Sequence, residues 1–468
     1  MEAISHPAAL ARVPRAFAYK HDALALELSE GILCVGLPEP EDAPLLDALR
    51  ATTHLPIRAV RMPRETIRHR LRLAYGEPPP SAEPAGDVAR LVDRLFGGAI
   101  AAHASDVHLE PSRDGGRVRI RVDGVLRELE RIDAARFPAV VARVKVLAAL
   151  DVTERRLPQD GRWAIPYERR EIDARVASVP TLDGEQLVVR LLDRHASPPD
   201  LDALGMPPAL LAGYRAAVAA PWGFIVLAGP TGSGKTTTLY ASLTRLDART
   251  RGICSVEDPV EMRLDGVAQV QVNARAGLGF STVLRAFLRQ DPDVVAVGEM
   301  RDAETAAVAV SAALAGQTLF TTLHANDAPR AIDRLVELGV NRHALASALT
   351  ALVGQRLVRT LCERCRVRAP IPAALRAALA ERTHWYVAGG CPACEGTGYG
   401  GRTGVYELLT VDDDLRDAIA GGASTTAIAH LAARGAYRPL RADALAKVQA
   451  GLTSFDELTR VAGWSAPA

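Results

Sequence analysis

The sequence predicts an α/β protein. A parallel sheet with helices on both faces is expected over residues 201–355, and a smaller α+β domain over residues 87–195. Three observations predict this. Short apolar runs such as Phe224-Ile225-Val226-Leu227-Ala228 and Val294-Val295-Ala296-Val297 alternate with segments of helical pattern, and strands separated by helices pair in parallel. The run Gly229-Pro230-Thr231-Gly232-Ser233-Gly234-Lys235-Thr236 joins one apolar run to Thr237-Thr238-Leu239-Tyr240, in the order strand, glycine-rich loop, helix. Upstream, residues 106–110, 117–122 and 126–130 alternate in polarity, and Arg113-Asp114-Gly115-Gly116 marks a hairpin turn between two of them.

Bulk composition bounds the rest. A chain of 468 residues exceeds one ordinary core, so several domains are expected. Aromatics are only 4% of residues, so the cores should be aliphatic. With 56 basic and 55 acidic residues the net charge is +1, which supplies no overall attraction to nucleic acid. No uncharged apolar run reaches the ~18 residues of a membrane helix, and the first residues lack the basic-then-apolar pattern of a signal peptide. A cytoplasmic location is expected, with any membrane association made through a partner.

Residues 1–76 form a small N-terminal unit. Leu24, Leu26 and Leu28 alternate, and Ile32-Leu33-Cys34-Val35 is a second apolar run, so two strands are expected; residues 42–51 and 64–74 have helical pattern. Prolines crowd residues 77–86, which therefore read as a linker. A helix is expected from Asp87 through Val88, Leu91, Val92 and Leu95, another over 138–150, and further strands at 172–179 and 186–192. Residues 196–200 form a second linker. The sheet domain follows at 201–355, a cysteine-bearing module at 356–405, and an alanine-rich helical tail at 406–468.

The run Gly229 to Thr236 has the spacing of a phosphate-binding loop. Its glycines let several backbone N–H groups converge, and the helix behind adds the positive end of its dipole. Lys235 would reach the β- and γ-phosphates, and the Thr236 hydroxyl would ligate Mg²⁺. The strand Val294 to Val297 ends in Gly298-Glu299, with glycine where an aspartate usually stands. Glu299 is then the general base for the attacking water, or holds Mg²⁺ through water. Ser255-Val256-Glu257-Asp258-Pro259 follows another apolar run, so Glu257 and Asp258 are candidates for the Mg²⁺ and water shell. Leu319-Phe320-Thr321-Thr322-Leu323 ends in His324, a candidate sensor of the γ-phosphate.

Four of six cysteines form two pairs, Cys362-x-x-Cys365 and Cys391-x-x-Cys394, separated by 25 residues. That spacing suits a structural zinc site whose four thiolates leave no open position; a redox pair and a metal-free pair are the competing readings. Cys34 and Cys254 are isolated and are expected to pack as small apolar residues.

Together these residues resemble the secretion and pilus-assembly ATPases, the GspE/PilB branch of the type II/IV secretion superfamily. The resemblance covers residues 87–410. It lies in GPTGSGKTTTLY, SVEDPVE, LRQDPDVVAVGEMRD and TTLHAND, and upstream in ASDVHLEP, RVDGVLRE and RLPQDGR. The cysteine pairs and GRTGVYELL look like the family's zinc module, which pilus-retraction ATPases lack. The resemblance implies a RecA-like P-loop ATPase domain behind a PAS-like N2 domain. It also implies ATP, Mg²⁺ and Zn²⁺ as cofactors, and a homo-hexamer holding each nucleotide between two domains. The implied partners are an inner-membrane platform and the cytoplasmic domain of a membrane-anchored secretion protein (GspF- and GspL-like), with no nucleic acid. Arg175 and Arg190 match N2 arginines that neutralise γ-phosphate charge, and Arg285 and Arg289 match further arginines near the nucleotide. An arginine finger accelerates phosphoryl transfer by ~10³–10⁵.

Two departures from the family pattern stand out. Its histidine box begins T-G-H, whereas this chain reads Ala315-Gly316-Gln317, so that first histidine's role is lost or changed. The N-terminal unit is also short. The implied function is the motor of a type II secretion system, with type IV pilus assembly or DNA uptake as the alternative. A helicase-like reader of nucleic acid is disfavoured, because no Lys/Arg-rich run with interleaved aromatics surrounds the cysteines.

Overall fold

The computed structural model describes residues 6–75, 85–168, 170–193, 197–371 and 384–463. The linker expected at 77–86 lies outside them through residue 84, as does Ala196 of the second linker. The chain divides into two compact units, Met1–Leu192 and Asp193–Ala468.

The first unit holds two sheets. Strands β1 (Leu24–Ser29), β2 (Ile32–Leu37) and β3 (Ile57–Arg61) form the smaller, in that order. Glu30 and Gly31 both take positive φ (52° and 78°), the mirrored turn whose twist matches an antiparallel hairpin. The helix Ala43–Thr53 carries the chain over to β3, parallel to β2. Leu33 and Val35 of this sheet share a core with Leu49, Ile67 and Leu71 of its helices. Strand β3 has no apolar run to announce it: Arg58 and Arg61 flank Ala59 and Val60.

The larger sheet contains β4 (Asp106–Ser112), β5 (Gly115–Val122), β6 (Val125–Asp133), β7 (Gln159–Tyr167), β8 (Arg170–Thr181) and β9 (Gly184–Leu192). Their order is β6-β5-β4-β9-β8-β7, with every neighbour antiparallel. Val107, Leu109, Val176 and Val189 form one core with Leu95 and Phe96 of the helix Ala85–Ala101, and with Val140 and Val144 of Phe137–Leu147. Gly116 is required here, because a Cβ would lie 2.1 Å from the Phe137 ring. The edge strand β7 contains Pro166, which only an edge or bulge position tolerates.

The second unit is built on β10 (Gly223–Ala228), β11 (Ile253–Glu257), β12 (Val267–Gln271), β13 (Val294–Val297), β14 (Thr318–Leu323), β15 (Leu349–Leu361) and a final strand, residues Tyr399–Thr410. Between the last two stands a short antiparallel pair, β16 (Val367–Pro370) and β17 (His384–Val387), so the final strand is β18. The sheet runs β12-β11-β13-β14-β10-β15-β18, parallel except for β18 at the edge. Every residue of β10, β11, β13 and β14 is buried, as strands covered on both faces must be. Alternation sorts their side chains: Phe224, Val226 and Val295 join one core, Ile225, Leu227 and Val294 the other.

The boundaries expected at 355/356 and 405/406 fall inside strands. Gly354-Gln355-Arg356 interrupts the apolar run but not the pairing: β15 and β18 stay in register from Ala351↔Thr410 to Arg359↔Arg402, then shift by one residue before Leu361↔Tyr399. The cysteine-bearing segment is thus an insertion between two strands of the main sheet. Behind it come the helices Asp413–Ala420, Thr425–Ala432, Leu440–Gln449 and Phe455–Ala462. Asp412, Ser424 and Ser454 cap three of them, each accepting from an N–H three residues on. Among the described residues no helix is long and apolar enough to cross a membrane.

Candidate nucleotide site and cysteine cluster

Parallel register brings the predicted site together. Ala228 of β10 pairs with Leu323 of β14, so these two strands end level, and with Gly354 of β15, which runs on past them to Leu361. Val297 of β13 pairs with Thr321, and Val256 of β11 with Val297. The phosphate loop, His324, Glu299 and Glu257 therefore leave neighbouring strands at one edge, where ligands gather in such sheets.

The loop is a tight cradle. Gly232 and Gly234 take φ of 75° and 85°, and a Cβ on Gly229 would lie 2.4 Å from Ser233 Oγ and 2.6 Å from the Gln355 carbonyl. Ser233 is buried and its hydroxyl has no hydrogen-bond partner. The helix Lys235–Thr244 starts at once, with Thr236 and Thr237 half-buried in its first turn. An unfilled hydroxyl and a helix N-terminus in one cradle fit an anion such as a phosphate. Lys235 Nζ donates to the Gly229 and Pro230 carbonyls at 2.8 Å each. Burial, reinforced by nearby Arg356 and opposed by Glu299 and Glu261, pushes its pKa down to about 8.

Glu299 is a half-buried carboxylate of the site. It forms an ion pair with Arg301, and His324 Nε2 stands 3.8 Å from its Oε2. Burial, then Lys235 and Arg301, hold His324 below the ordinary imidazole value, with Glu299 pulling the other way. Thr322 Oγ1 donates to the Gly298 carbonyl at 2.7 Å, fixing the bend before Glu299. A Cβ at Gly298 would come within 3.2 Å of Glu257 Cα, so the bend runs close against the end of β11.

Glu257 sits at the expected strand end, but its carboxylate is closed off. It is 2% exposed and accepts from Ser255 Oγ at 2.6 Å, from Gln269 Nε2 at 3.2 Å and from the Tyr240 hydroxyl. Asp258 is more open and receives Arg301 Nη1 at 3.3 Å, so Arg301 bridges Asp258 and Glu299. Arg285 pairs with Glu304 at 3.1 Å, and Arg289 donates to the Arg285 carbonyl at 2.9 Å; neither bond leads to the loop.

Arg301, Gln355 and Arg356 were not legible as site residues. Thr238 Oγ1 donates to Gln355 Oε1 at 2.8 Å across 117 residues of chain. Arg356 Nη2 donates to the Asn326 carbonyl at 2.7 Å. Only the β10–β15 pairing, invisible in sequence, sets Gln355 and Arg356 beside the loop.

In the first unit Arg175 and Arg190 are direct partners across β8 and β9. Arg162 pairs with Arg175 and Asp106 with Arg190, whose Nε lies 3.2 Å from Asp106 Oδ1. Arg162, Arg175 and Arg190 line a shallow cavity of about 400 Å³.

The four paired cysteines converge, with all ligand atoms within 4.8 Å of one another. Sγ separations are 3.9 Å for Cys362–Cys391, 3.7 Å for Cys365–Cys394 and 3.8 Å for Cys391–Cys394. A tetrahedron of thiolates at ~2.3 Å from zinc has edges of ~3.8 Å, so the donor set and its spacing fit that ion. Backbone N–H groups of Gly390, Cys391 and Gly398 approach the sulfurs at 3.2 Å, the outer support expected around metal thiolates. Cys34 and Cys254 are buried and free, and burial pushes the Cys254 thiol up to about 12.

Comparison with known proteins agrees with this geometry. The family "Type II/IV secretion system protein" matches residues 81–460, and the MshEN domain matches residues 3–81. Type II secretion system protein E of Klebsiella pneumoniae is 40% identical, over 96% of each chain. Type II secretion system protein HxcR of Pseudomonas aeruginosa is 46% identical, over 80% of this chain and 77% of its own. Type IV pilus assembly ATPase PilB of Thermus thermophilus is 41% identical, over 79% of this chain but 42% of its own. Among solved structures, the Legionella pneumophila ATPase DotB shares the fold with a TM-score of 0.59 at 21% identity, covering 79% of this chain and 95% of that one. The chain therefore belongs to the type II/IV secretion system protein family and is one of its secretion ATPases.

Proposed function

We propose that this chain is the cytoplasmic motor of a type II secretion system, a hexamer whose hydrolysis of Mg²⁺-ATP drives pseudopilus assembly and protein export. The observation that carries the reading is the convergence of the phosphate loop, Glu299 and His324 on adjacent strand ends. Residues 229–237 bind the triphosphate, and Lys235 leaves its two loop carbonyls to meet the β- and γ-phosphates. Thr236 would hold Mg²⁺, which supplies charge neutralisation when bound. Glu299 orients the attacking water and takes its proton. His324, beside that carboxylate, reads the γ-phosphate. Asp258 acts through Arg301. Glu257 holds the β11 end and Gly298 in place from behind. Arg175 and Arg190 supply charge to the γ-phosphate in the assembled motor. Arg285 and Arg289, engaged with Glu304 and with backbone, have no part in this reading. Cys362, Cys365, Cys391 and Cys394 hold zinc, which folds the insertion rather than reacting. Partners at the inner membrane, GspL- and GspF-like, dock the motor.

Pilus assembly is the second reading, favoured by the likeness to PilB. Near end-to-end coverage of type II protein E favours secretion. Steady-state Mg²⁺-ATPase activity across a protein concentration series, with Lys235→Ala as control, tests the core of the proposal. Specific activity that climbs with concentration and vanishes in the variant supports an oligomeric motor. Wild-type protein without Lys235-dependent turnover overturns it. In cells, loss of export with intact pili on deletion separates the two systems.

A further inference from the structure

Glu407 is a buried carboxylate that the hydrolysis chemistry leaves unused. It lies on β18, 1% exposed, directly opposite Gly354 of β15. It also occupies the room a side chain at Gly354 would need, since a Cβ there would fall 2.3 Å from its Oε1. Its two oxygens face different parts of the unit. Oε1 accepts from Ala328 N at 2.6 Å. Oε2 accepts from the Tyr437 hydroxyl and from Leu440 N, both at 2.9 Å. Ala328 opens the helix Ala328–Glu337, four residues after His324 in the same turn. Tyr437 lies in the segment joining the helices Thr425–Ala432 and Leu440–Gln449, and Leu440 opens the second of them.

One side chain thus fastens the His324 turn to the C-terminal helices. Arg356 holds the same turn from the loop side through the Asn326 carbonyl, and Glu407 is the first of its electrostatic partners. A cleft of about 670 Å³ runs alongside, lined by Asn326, Arg356, Glu407, His430 and Tyr437, which leaves room for the two parts to shift if the link is cut. An anchor needed only for stability does not call for a charge, because a well-packed apolar group of similar volume stabilises such sites at least as well. Three directed hydrogen bonds instead fix an orientation.

We propose that Glu407 is a positioning residue for ATP hydrolysis, one carboxylate that makes the His324 turn and the C-terminal helices move as a single body. The inference rests on the ATPase reading above. The test uses the full-length chain and Glu407→Gln, which keeps size but brings an amide NH₂ against an N–H donor at whichever end it occupies. Three quantities are read: kcat and KM for Mg²⁺-ATP, affinity for a non-hydrolysable ATP analogue, and hydrogen exchange across residues 413–462 with and without that analogue.

The expected result is a ~10–100-fold loss of kcat, the scale of a misplaced catalytic geometry, with KM and analogue affinity within ~3-fold of wild type. The analogue should alter exchange in the C-terminal helices of wild type and leave it unaltered in the variant. Turnover within twofold of wild type overturns the inference. So does a loss of kcat that matches a loss of folded protein while the exchange response persists. If Glu407→Gln does not fold, Tyr437→Phe removes one of the three donors, and an undiminished exchange response in that variant overturns the inference equally. A wild-type chain lacking Lys235-dependent turnover sinks the enclosing ATPase reading, an outcome distinct from either.

Discussion

Glu299 and Lys235 do opposite work in the site, and each makes its own prediction. Glu299→Gln removes the proposed proton acceptor but keeps the shape and the Arg301 side of the site. Turnover should fall by ~10²–10⁴, the usual worth of a general base, while ATP stays bound; burst and steady-state phosphate release read both. Full turnover in that variant removes Glu299 from the chemistry. Lys235 titrates near pH 8 in the nucleotide-free protein because burial and Arg356 disfavour its charge. A triphosphate favours the charged form, so bound Lys235 titrates higher. Affinity is therefore full below about pH 8 and declines as pH rises through it, by at most ~10-fold per unit. Analogue Kd measured from pH 6.5 to 9.5 should bend there, and Lys235→Arg, which stays charged, should not. At this scale the loop, Glu299 and His324 were legible because each ends a recognisable apolar run. The closure of Glu257 by Tyr240 and Gln269 was not, since nothing in SVEDPVE shows which way its carboxylate turns. Gln355, Arg356 and Glu407 were hidden for a related reason: their importance comes from strand neighbours distant in sequence.

Elements were legible where burial imposes a period and illegible where the edge of a sheet relaxes it. The fully buried strands β10 and β13 announce themselves as unbroken apolar runs, and β14 by Leu319-Phe320 among β-branched threonines. Strand β7 is illegible because Gly161 and Pro166, both poor strand formers, lie within it and only Trp163 and Ile165 are buried. Helix packing on the six-stranded sheet depends on absent side chains, at Gly116 against Phe137 above all. Gly116→Ala should lower unfolding free energy by ~1–3 kcal/mol through overpacking against Phe137, read by urea denaturation of the full chain. A neutral substitution would show that Phe137 has room to move. The cysteine insertion makes a separate prediction. Purified protein should contain stoichiometric zinc, and Cys391→Ser should lose it together with the ordered turn at Pro392–Cys394. Elemental analysis and backbone amide spectra check this. Because β15 and β18 pair along their length, nucleotide affinity should survive the substitution; its collapse would mean the insertion supports the sheet as well as itself.

The sequence reveals the fold class and the ATPase family but not the order of the sheet, β12-β11-β13-β14-β10-β15-β18. That order is what sets Glu299 between Glu257 and His324, and what lets an insertion between β15 and β18 leave the strand ends intact. A motor needs more than a finished site in one chain, however. If the proposed hexamer passes movement from protomer to protomer, each inactive subunit silences neighbours as well as itself. Premixed oligomers of wild type and Lys235→Ala should then lose activity more steeply than the inactive fraction rises, because a subunit that cannot hydrolyse holds its neighbours in one state. Independent sites predict a straight line instead. The same titration with Glu407→Gln separates the two levels. That variant binds ATP normally in the inference above, so a curve as steep as that of Lys235→Ala would place the block in movement passed between subunits rather than in nucleotide occupancy. A linear curve for Glu407→Gln beside a steep one for Lys235→Ala would confine Glu407 to its own protomer's site, and a linear curve for both would mean that the subunits fire independently.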